Sequence, residues 1–225
     1  MNIKKFKLIE NRYERKYILG SGENWKFQNY LLNNGFQRTF EPRLVNSIYY
    51  DSDEKIFFNE NINGISERIK TRLRWYNNDF KVKLELKKKS NAVSWKHIYS
   101  AGSFESFAKL KKFYNKNENL KKISYLSGLL IKPTLLVRYV REYWESPCKN
   151  FRATSDSNIE YKSIKSINLS TKGLEPDINV LEFKYLSQKD NDFRIMINEK
   201  NFPFRMTKHS KYVSAVIHLN NLGVI

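Results

Sequence analysis

Residues 67–75 read Glu67-Arg68-Ile69-Lys70-Thr71-Arg72-Leu73-Arg74-Trp75, and residues 81–87 repeat the pattern as Lys81-Val82-Lys83-Leu84-Glu85-Leu86-Lys87. Successive side chains of a β-strand point to opposite faces. A strand over Ser66–Tyr76 therefore puts Arg68, Lys70, Arg72 and Arg74 on one face and Ile69, Thr71, Leu73 and Trp75 on the other. A strand over Phe80–Lys88 sets Lys81, Lys83, Glu85 and Lys87 against Val82, Leu84 and Leu86. Asn77-Asn78-Asp79 reads as a hairpin turn, which lays the two cationic faces side by side. Same-face neighbours are about 7 Å apart, where like charges repel by about 2 kcal/mol at an effective dielectric of roughly 20. A solvated face tolerates that repulsion, whereas an enclosed face needs counter-anions. Alternation alone leaves both readings open.

Outward from this hairpin, further strands pair cations with an occasional carboxylate. Asn11–Leu19 puts Arg12, Glu14 and Lys16 on one face; Phe151–Tyr161 groups Arg152, Thr154 and Asp156; Val180–Tyr185 places Glu182 beside Lys184 between bulky apolar residues. Val45–Asp51, Leu135–Ser146 and Ala92–Tyr99 are the remaining strand candidates, and Ser146–Asn150 reads as a second hairpin turn. Helix signals are fewer. Ser21-Gly22 caps a helix over Glu23–Asn33 that Gly35 stops. Ser103 is read as opening a second helix with Phe104, Phe107, Leu110 and Phe113 as its apolar stripe, Lys121–Leu130 as a third, and His209–Leu219 as the last. The pattern predicts one α+β domain over residues 1–225, built on a curved or closed antiparallel sheet.

The chain has 225 residues, 40% of them apolar and 15% aromatic, which excludes a disordered polyanion-binding tail. Its formal net charge of +18 favours anionic partners: nucleic acid, acidic lipid or phosphate polymers. Abundant Lys, Asn and Ile leave compositional drift as a second source of that charge. The lone Cys148 excludes an internal disulfide and a multi-cysteine zinc site, and His97, His209 and His218 lack metal-ligand spacing. Residues 1–10 lack the apolar stretch of a signal peptide, and no run approaches the roughly 18 apolar residues of a membrane span, so a cytoplasmic location is expected. No Gly-x-x-x-x-Gly-Lys-Ser/Thr loop is present.

Eight short motifs follow one another along the chain: Glu14-Arg15-Lys16-Tyr17, Ser47-Ile48-Tyr49-Tyr50-Asp51, Arg72-Leu73-Arg74-Trp75-Tyr76, Glu85-Leu86-Lys87, Tyr139-Val140-Arg141, Arg152 through Asp156, Leu181-Glu182-Phe183-Lys184 and Lys208-His209-Ser210-Lys211-Tyr212. In this order they resemble the VTC (vacuolar transporter chaperone) domain, a polyphosphate polymerase domain of the triphosphate tunnel metalloenzymes, a CYTH-like superfamily. The resemblance implies an antiparallel β-barrel tunnel of about eight strands with peripheral helices. It implies phosphate binding by Lys16, Arg72, Arg74, Lys87, Arg141, Arg152, Lys208 and Lys211, with Lys70, Lys96 and Lys184 adding to the lining. Glu182 is the implied main ligand of Mn²⁺ or Mg²⁺, with Glu14, Glu85 and Asp156 as further metal or water-positioning candidates. Lys16, Arg72, Arg74, Lys87 and Glu182 form the implied catalytic set.

One position departs from the wider superfamily, whose first strand reads Glu-x-Glu-x-Lys: here the series is Arg12, Glu14, Lys16. A cation in place of the first carboxylate weakens metal-activated water attack and favours holding long polyanions. The expected activity is transfer of the terminal phosphoryl of ATP or another nucleoside triphosphate to a phosphate chain, by positioning and charge neutralisation. A membrane or regulatory partner protein is expected to supply control or translocation. Two alternatives stay open: hydrolysis of triphosphate or nucleoside triphosphate, and a non-catalytic module for polyphosphate or, less favoured, nucleic acid. For the last, Trp75, Tyr76, Trp95, Tyr139 and Tyr143 interleave with basic residues as on base-stacking surfaces.

Overall fold

The alternation over residues 68–89 is realised as a hairpin. β3 (Arg68–Tyr76) and β4 (Asp79–Ser90) pair antiparallel, with Lys70 opposite Lys87, Arg72 opposite Glu85 and Leu73 opposite Leu84. Asn77 takes the turn at φ 48°, a left-handed conformation that Asn tolerates better than most residues, and its Oδ1 accepts the Leu44 amide. The computed structural model describes residues 12–90, 93–106, 109–115, 117–165, 173–199 and 202–225. Within them, β1 (Arg12–Gly20), β2 (Gln37–Asp51), β5 (Val93–Ser103), β6 (Lys132–Glu145), β7 (Arg152–Ser163) and β8 (Ile178–Leu186) complete one eight-stranded antiparallel sheet of order β1-β8-β7-β6-β2-β3-β4-β5.

Six α-helices are described: α1 (Asn24–Asn33), α2 (Ile56–Ile62), α3 (Leu110–Tyr114), α4 (Asn117–Ser127), α5 (Asp190–Glu199) and α6 (Lys211–Asn221). Two apolar layers cover one face of the sheet. Ile48, Tyr50, Leu73, Trp75, Val82 and Leu84 pack with Phe57 of α2, with Phe104, and with Leu110 and Phe113 of α3. On the other flank Tyr17, Leu19, Leu181 and Phe183 pack with Phe27 and Leu31 of α1 and Phe193 of α5. The opposite face is concave: Lys87 of β4 reaches Glu14 of β1 at 3.1 Å, although five strands separate them in the sheet order. Part of the concavity is filled by α6, whose Tyr212, Ala215, Val216 and Leu219 pack on Tyr49, Leu135, Val137, Tyr161 and Val180.

Closure is where the expected barrel and the structure part. The sheet curls but does not close, and β1 and β5 are its edges. The free side of β1 is instead engaged by the segment leading into α6, through the Thr207 amide on the Lys16 carbonyl (2.8 Å) and a bridge between Tyr17 and Met206. A strand's alternation specifies its faces but not what meets its edge, so closure was not readable from it.

Several boundaries also shift. β2 begins at Gln37 rather than Val45; its first six residues are exposed and hide no apolar face. Ser103 ends β5 instead of opening a helix. Phe104 and Phe113 do pack together, at 5.4 Å between ring centroids, and among the described residues of that stretch the α-helix spans Leu110–Tyr114. α4 starts earlier than the predicted third helix and precedes Gly128, at φ 71°. The short α2 and α5 have no counterpart among the helices expected from sequence, although Phe193, Met196 and Ile197 of α5 stand at helical spacing and Asp190 and Asp192 fill its first turn. Asn11, Ala92 and Phe107 lie outside the described residues. Among the described residues no helix is long and apolar enough to cross a membrane.

Candidate phosphate site on the concave face

Strand register brings most of the expected cations onto the concave face. Arg72 donates through Nε to Glu85 Oε2 (2.7 Å) and through Nη1 to the Tyr49 hydroxyl (3.0 Å). Arg74, 5% exposed, donates to Ser47 Oγ and to the Tyr139 hydroxyl, each at 3.1 Å. Lys96, diagonally placed on β5, donates to Glu85 Oε1 at 2.9 Å. Glu85 thus anchors three cations, since Arg74 Nη1 also lies 3.6 Å from it. Burial would raise the Glu85 pKa, but Arg72, Arg74 and Lys96 outweigh it and hold the carboxyl well below its ordinary value.

A second anchor stands on β7. The fully buried Asp156 accepts Arg141 Nε at 2.5 Å and Nη2 at 2.7 Å, together with Lys211 Nζ at 2.5 Å. Burial opposes ionisation here too, yet Arg141 and Lys211 bring the Asp156 pKa down to about 2. Both cations also lie over the Tyr139 ring, at 5.2 and 4.7 Å from its centroid.

The third part lies on β1 and β8. Lys16 is paired in register with Glu182, and Glu14 with Lys184. Glu182 is 7% exposed and forms an ion pair with Lys184 Nζ at 3.3 Å. Burial raises its pKa, but Lys184, Lys16, Arg141 and Lys211 together keep it well below the usual range. Lys16 Nζ donates to the His209 carbonyl at 3.0 Å, and Lys70 Nζ to Ser210 Oγ at 3.0 Å, so the entry to α6 closes over both lysines. Burial, with Lys16, Lys87, Arg68 and Arg72 nearby, lowers the Lys70 pKa to about 7.

On this face, Lys16, Lys70, Arg72, Arg74, Lys87, Lys96, Arg141, Lys184 and Lys211 outnumber the carboxylates Glu14, Glu85, Asp156 and Glu182 by nine to four. Among them Arg74, Arg141 and Lys211 are largely withdrawn from water, while Lys87 and Lys184 remain partly exposed. Such a cluster favours further negative charge, and phosphate oxygens are the acceptors that arginine forks match best. Arg152 and Lys208 are not gathered in. Arg152 pairs with Glu145 with its side chain 64% exposed, and Lys208 is exposed.

His209 lies within the Lys208–Tyr212 motif but lacks metal-ligand spacing to His97 and His218. Its Nε2 is buried with no hydrogen-bond partner among the described residues. Burial, with Lys211 and Lys16, pushes its pKa down to about 3, so the ring is neutral at physiological pH. Tyr49 and Tyr139, which hold Arg72 and Arg74, were also missed as site residues. Their signal was parity with Ser47 and Arg141 on β2 and β6, strands whose charges alternate less cleanly.

The four carboxylates do not converge. Among the described residues no group of three or more His, Cys, Asp or Glu side chains could hold a metal. Asp156 and Glu85 are saturated by arginine and lysine donors. Glu182 and Glu14 share a face on adjacent strands, two residues apart in register. Mg²⁺ is commonly bound by one or two carboxylates, with substrate phosphates and water completing its octahedron. Glu182 and Glu14 are the carboxylates left to such a donor set, with Lys184 paired to the one and Lys87 to both oxygens of the other; an all-protein cage does not fit.

The fold is shared with solved structures. A proposed adenylate cyclase from Vibrio parahaemolyticus matches with a TM-score of 0.52 at 11% identity, covering 95% of this chain and 99% of that one. A proposed adenylyl cyclase from Hippeastrum, described as revealing a dominant triphosphatase activity, matches with a TM-score of 0.52 at 12% identity, over 92% of this chain and 96% of that one. At such identities the likeness is one of fold. No curated protein matches the chain in sequence. The model of the VTC domain matches residues 11–220, and the chain belongs to the VTC domain family.

Proposed function

We propose that this protein is a metal-dependent, polyphosphate polymerase-like phosphotransferase. It binds a nucleoside triphosphate and a phosphate chain on the concave face, and a terminal oxygen of the chain takes the γ-phosphoryl group as the β–γ bond breaks and the nucleoside diphosphate leaves. The observation that carries this reading is the set of inward arginines, Arg72, Arg74 and Arg141, each held in orientation by a buried carboxylate or a tyrosine hydroxyl. Fixed donors of this kind neutralise charge on a transferring phosphoryl group without reorganising, and phosphoryl transfer requires little else of a protein.

In this reading Lys16, Lys70, Lys87, Lys184 and Lys211 extend the grip along the chain, and Arg152 and Lys208 meet it at the exposed margin. Glu182, with Glu14, would hold Mn²⁺ or Mg²⁺, and the ion would supply charge neutralisation to the substrate phosphates. Glu85 and Asp156 act as anchors of the arginines. Membership of the VTC domain family supports polymer synthesis over hydrolysis, as does Arg12 in place of a first-strand carboxylate.

Incubation with ATP and Mn²⁺, followed by gel analysis of chain length, tests the reading. A lengthening polymer that Arg72→Ala and Glu182→Ala each reduce by at least about a hundredfold is expected. Orthophosphate release without polymer would assign hydrolysis instead, and wild-type behaviour of both variants would refute the site.

A further inference from the structure

An aromatic shelf continues the concave face beyond Arg141, and the phosphate site leaves it unused. The exposed start of β2 runs beside β6 with bulges on either side of Phe40, and the register sets Phe40 opposite Tyr143 and Arg43 opposite Arg141. The Phe40 and Tyr143 rings meet edge to face, with centroids 5.6 Å apart and planes at 84°. The Arg43 guanidinium lies 4.8 Å from the Phe40 centroid and 5.7 Å from that of Tyr143. Tyr143 in turn lies opposite Thr154, which lies opposite Glu182. The shelf is therefore joined to the cation-rich face by strand register, not merely near it.

Phe40 is 55% exposed, so its ring contributes little to the core. An inorganic phosphate chain has no apolar surface and gains nothing from an aromatic ring. A nucleobase does: every base offers a π-face, and aromatic rings and guanidinium planes are its usual stacking partners. Thr154 Oγ1, 9% exposed as a residue and without a partner among the described residues, adds a hydroxyl between shelf and Glu182.

We propose that Phe40, Tyr143 and Arg43 hold the nucleobase of a nucleoside triphosphate whose phosphates enter the cationic face at Arg141. This rests on the phosphate-binding reading above and adds to it a seat for the nucleoside of the donor. Stacking is tolerant of base identity, so ATP, GTP and CTP should bind within a few-fold of one another, purines ahead of pyrimidines.

The test compares ATP with inorganic triphosphate by calorimetry. Phe40→Ala should weaken ATP about tenfold while leaving triphosphate within about twofold, and Phe40→Trp should restore ATP binding and report it by fluorescence quenching. Because Phe40 is exposed, neither change is expected to unfold the protein, and circular dichroism checks this. Equal loss for both ligands, or no loss for either, overturns the shelf. So does unchanged ATP affinity with an altered oligomeric state on size exclusion, which would make Phe40 a protein contact. If the wild-type protein binds neither ligand, the phosphate reading itself fails and the shelf falls with it. ATP binding that Phe40→Ala weakens, together with triphosphate binding that Arg72→Ala abolishes and Phe40→Ala spares, supports both.

Discussion

Replacing Asp156 by Asn keeps the shape of the side chain and removes its charge. Asp156 is fully buried and accepts a bidentate Arg141 and Lys211 Nζ, all within 2.7 Å. Asp156→Asn leaves two enclosed cations facing an amide. Breaking a buried ion pair from one side costs about 3–5 kcal/mol, because the surviving charge stays desolvated. In a domain of this size about 1 kcal/mol moves the melting temperature by about 2–4 °C, so a fall on the order of 10 °C is expected by scanning calorimetry.

The same change adds one uncompensated positive charge to the site. Inorganic triphosphate should therefore raise the melting temperature of the variant more than that of the wild-type protein. Tenfold tighter binding adds about 1.4 kcal/mol of linkage stabilisation at saturating ligand. A melting temperature within about 2 °C of wild type would refute the anchor role. So would unchanged stability combined with lost Mn²⁺ binding, which would make Asp156 a metal ligand. The sign with pH follows from the depressed pKa. The contribution of Asp156 to stability is present above its unfolded value of 3.8 and is lost as pH falls through about 2.

Lys70 gives a second pH signature. With its pKa lowered to about 7 in the free protein, bound polyanion should draw a proton onto it above that pH. Triphosphate affinity should fall as pH rises from 7, by up to about tenfold per unit, with proton uptake visible by calorimetry in buffers of different ionisation heat. Lys70→Arg should flatten the profile; an unchanged slope would assign the effect elsewhere. Leu73→Ala, at a fully buried position under α2 and α3, should destabilise by about 2–5 kcal/mol in urea titrations while leaving triphosphate affinity nearly unchanged. Tyr212→Phe should cost about 1–3 kcal/mol, because it removes the hydroxyl donated to buried Asp51, the carboxylate that also accepts the Phe57 and Phe58 amides at the start of α2.

Residues 66–88 and their turn determined a good deal unaided. Period-2 alternation assigned Arg72, Arg74 and Glu85 to one face and Leu73, Trp75 and Leu84 to the other, because side-chain direction in a strand is a local property. The same local rule placed Glu14 with Lys16 and Glu182 with Lys184, and the order of short motifs pointed to the family. Nothing local could say that the cationic face is the inner one. That depends on the curl which brings Lys87 to Glu14, and on α6, which fills the apolar part of the concavity while delivering Lys211 and His209 to the charged part.

The pairing of Asp156 with Arg141, the capture of Glu85 by Lys96 from the next strand, and the capping of β1 by Thr207 rather than by β5 are likewise tertiary. Each joins residues on different strands or segments, and edge pairing and register across a sheet are settled by packing, not by the alternation within a strand. Sequence determined which residues share a face. Only the folded sheet decided that the face encloses a site, which of its carboxylates are consumed as anchors, and that Phe40 stands exposed beside it.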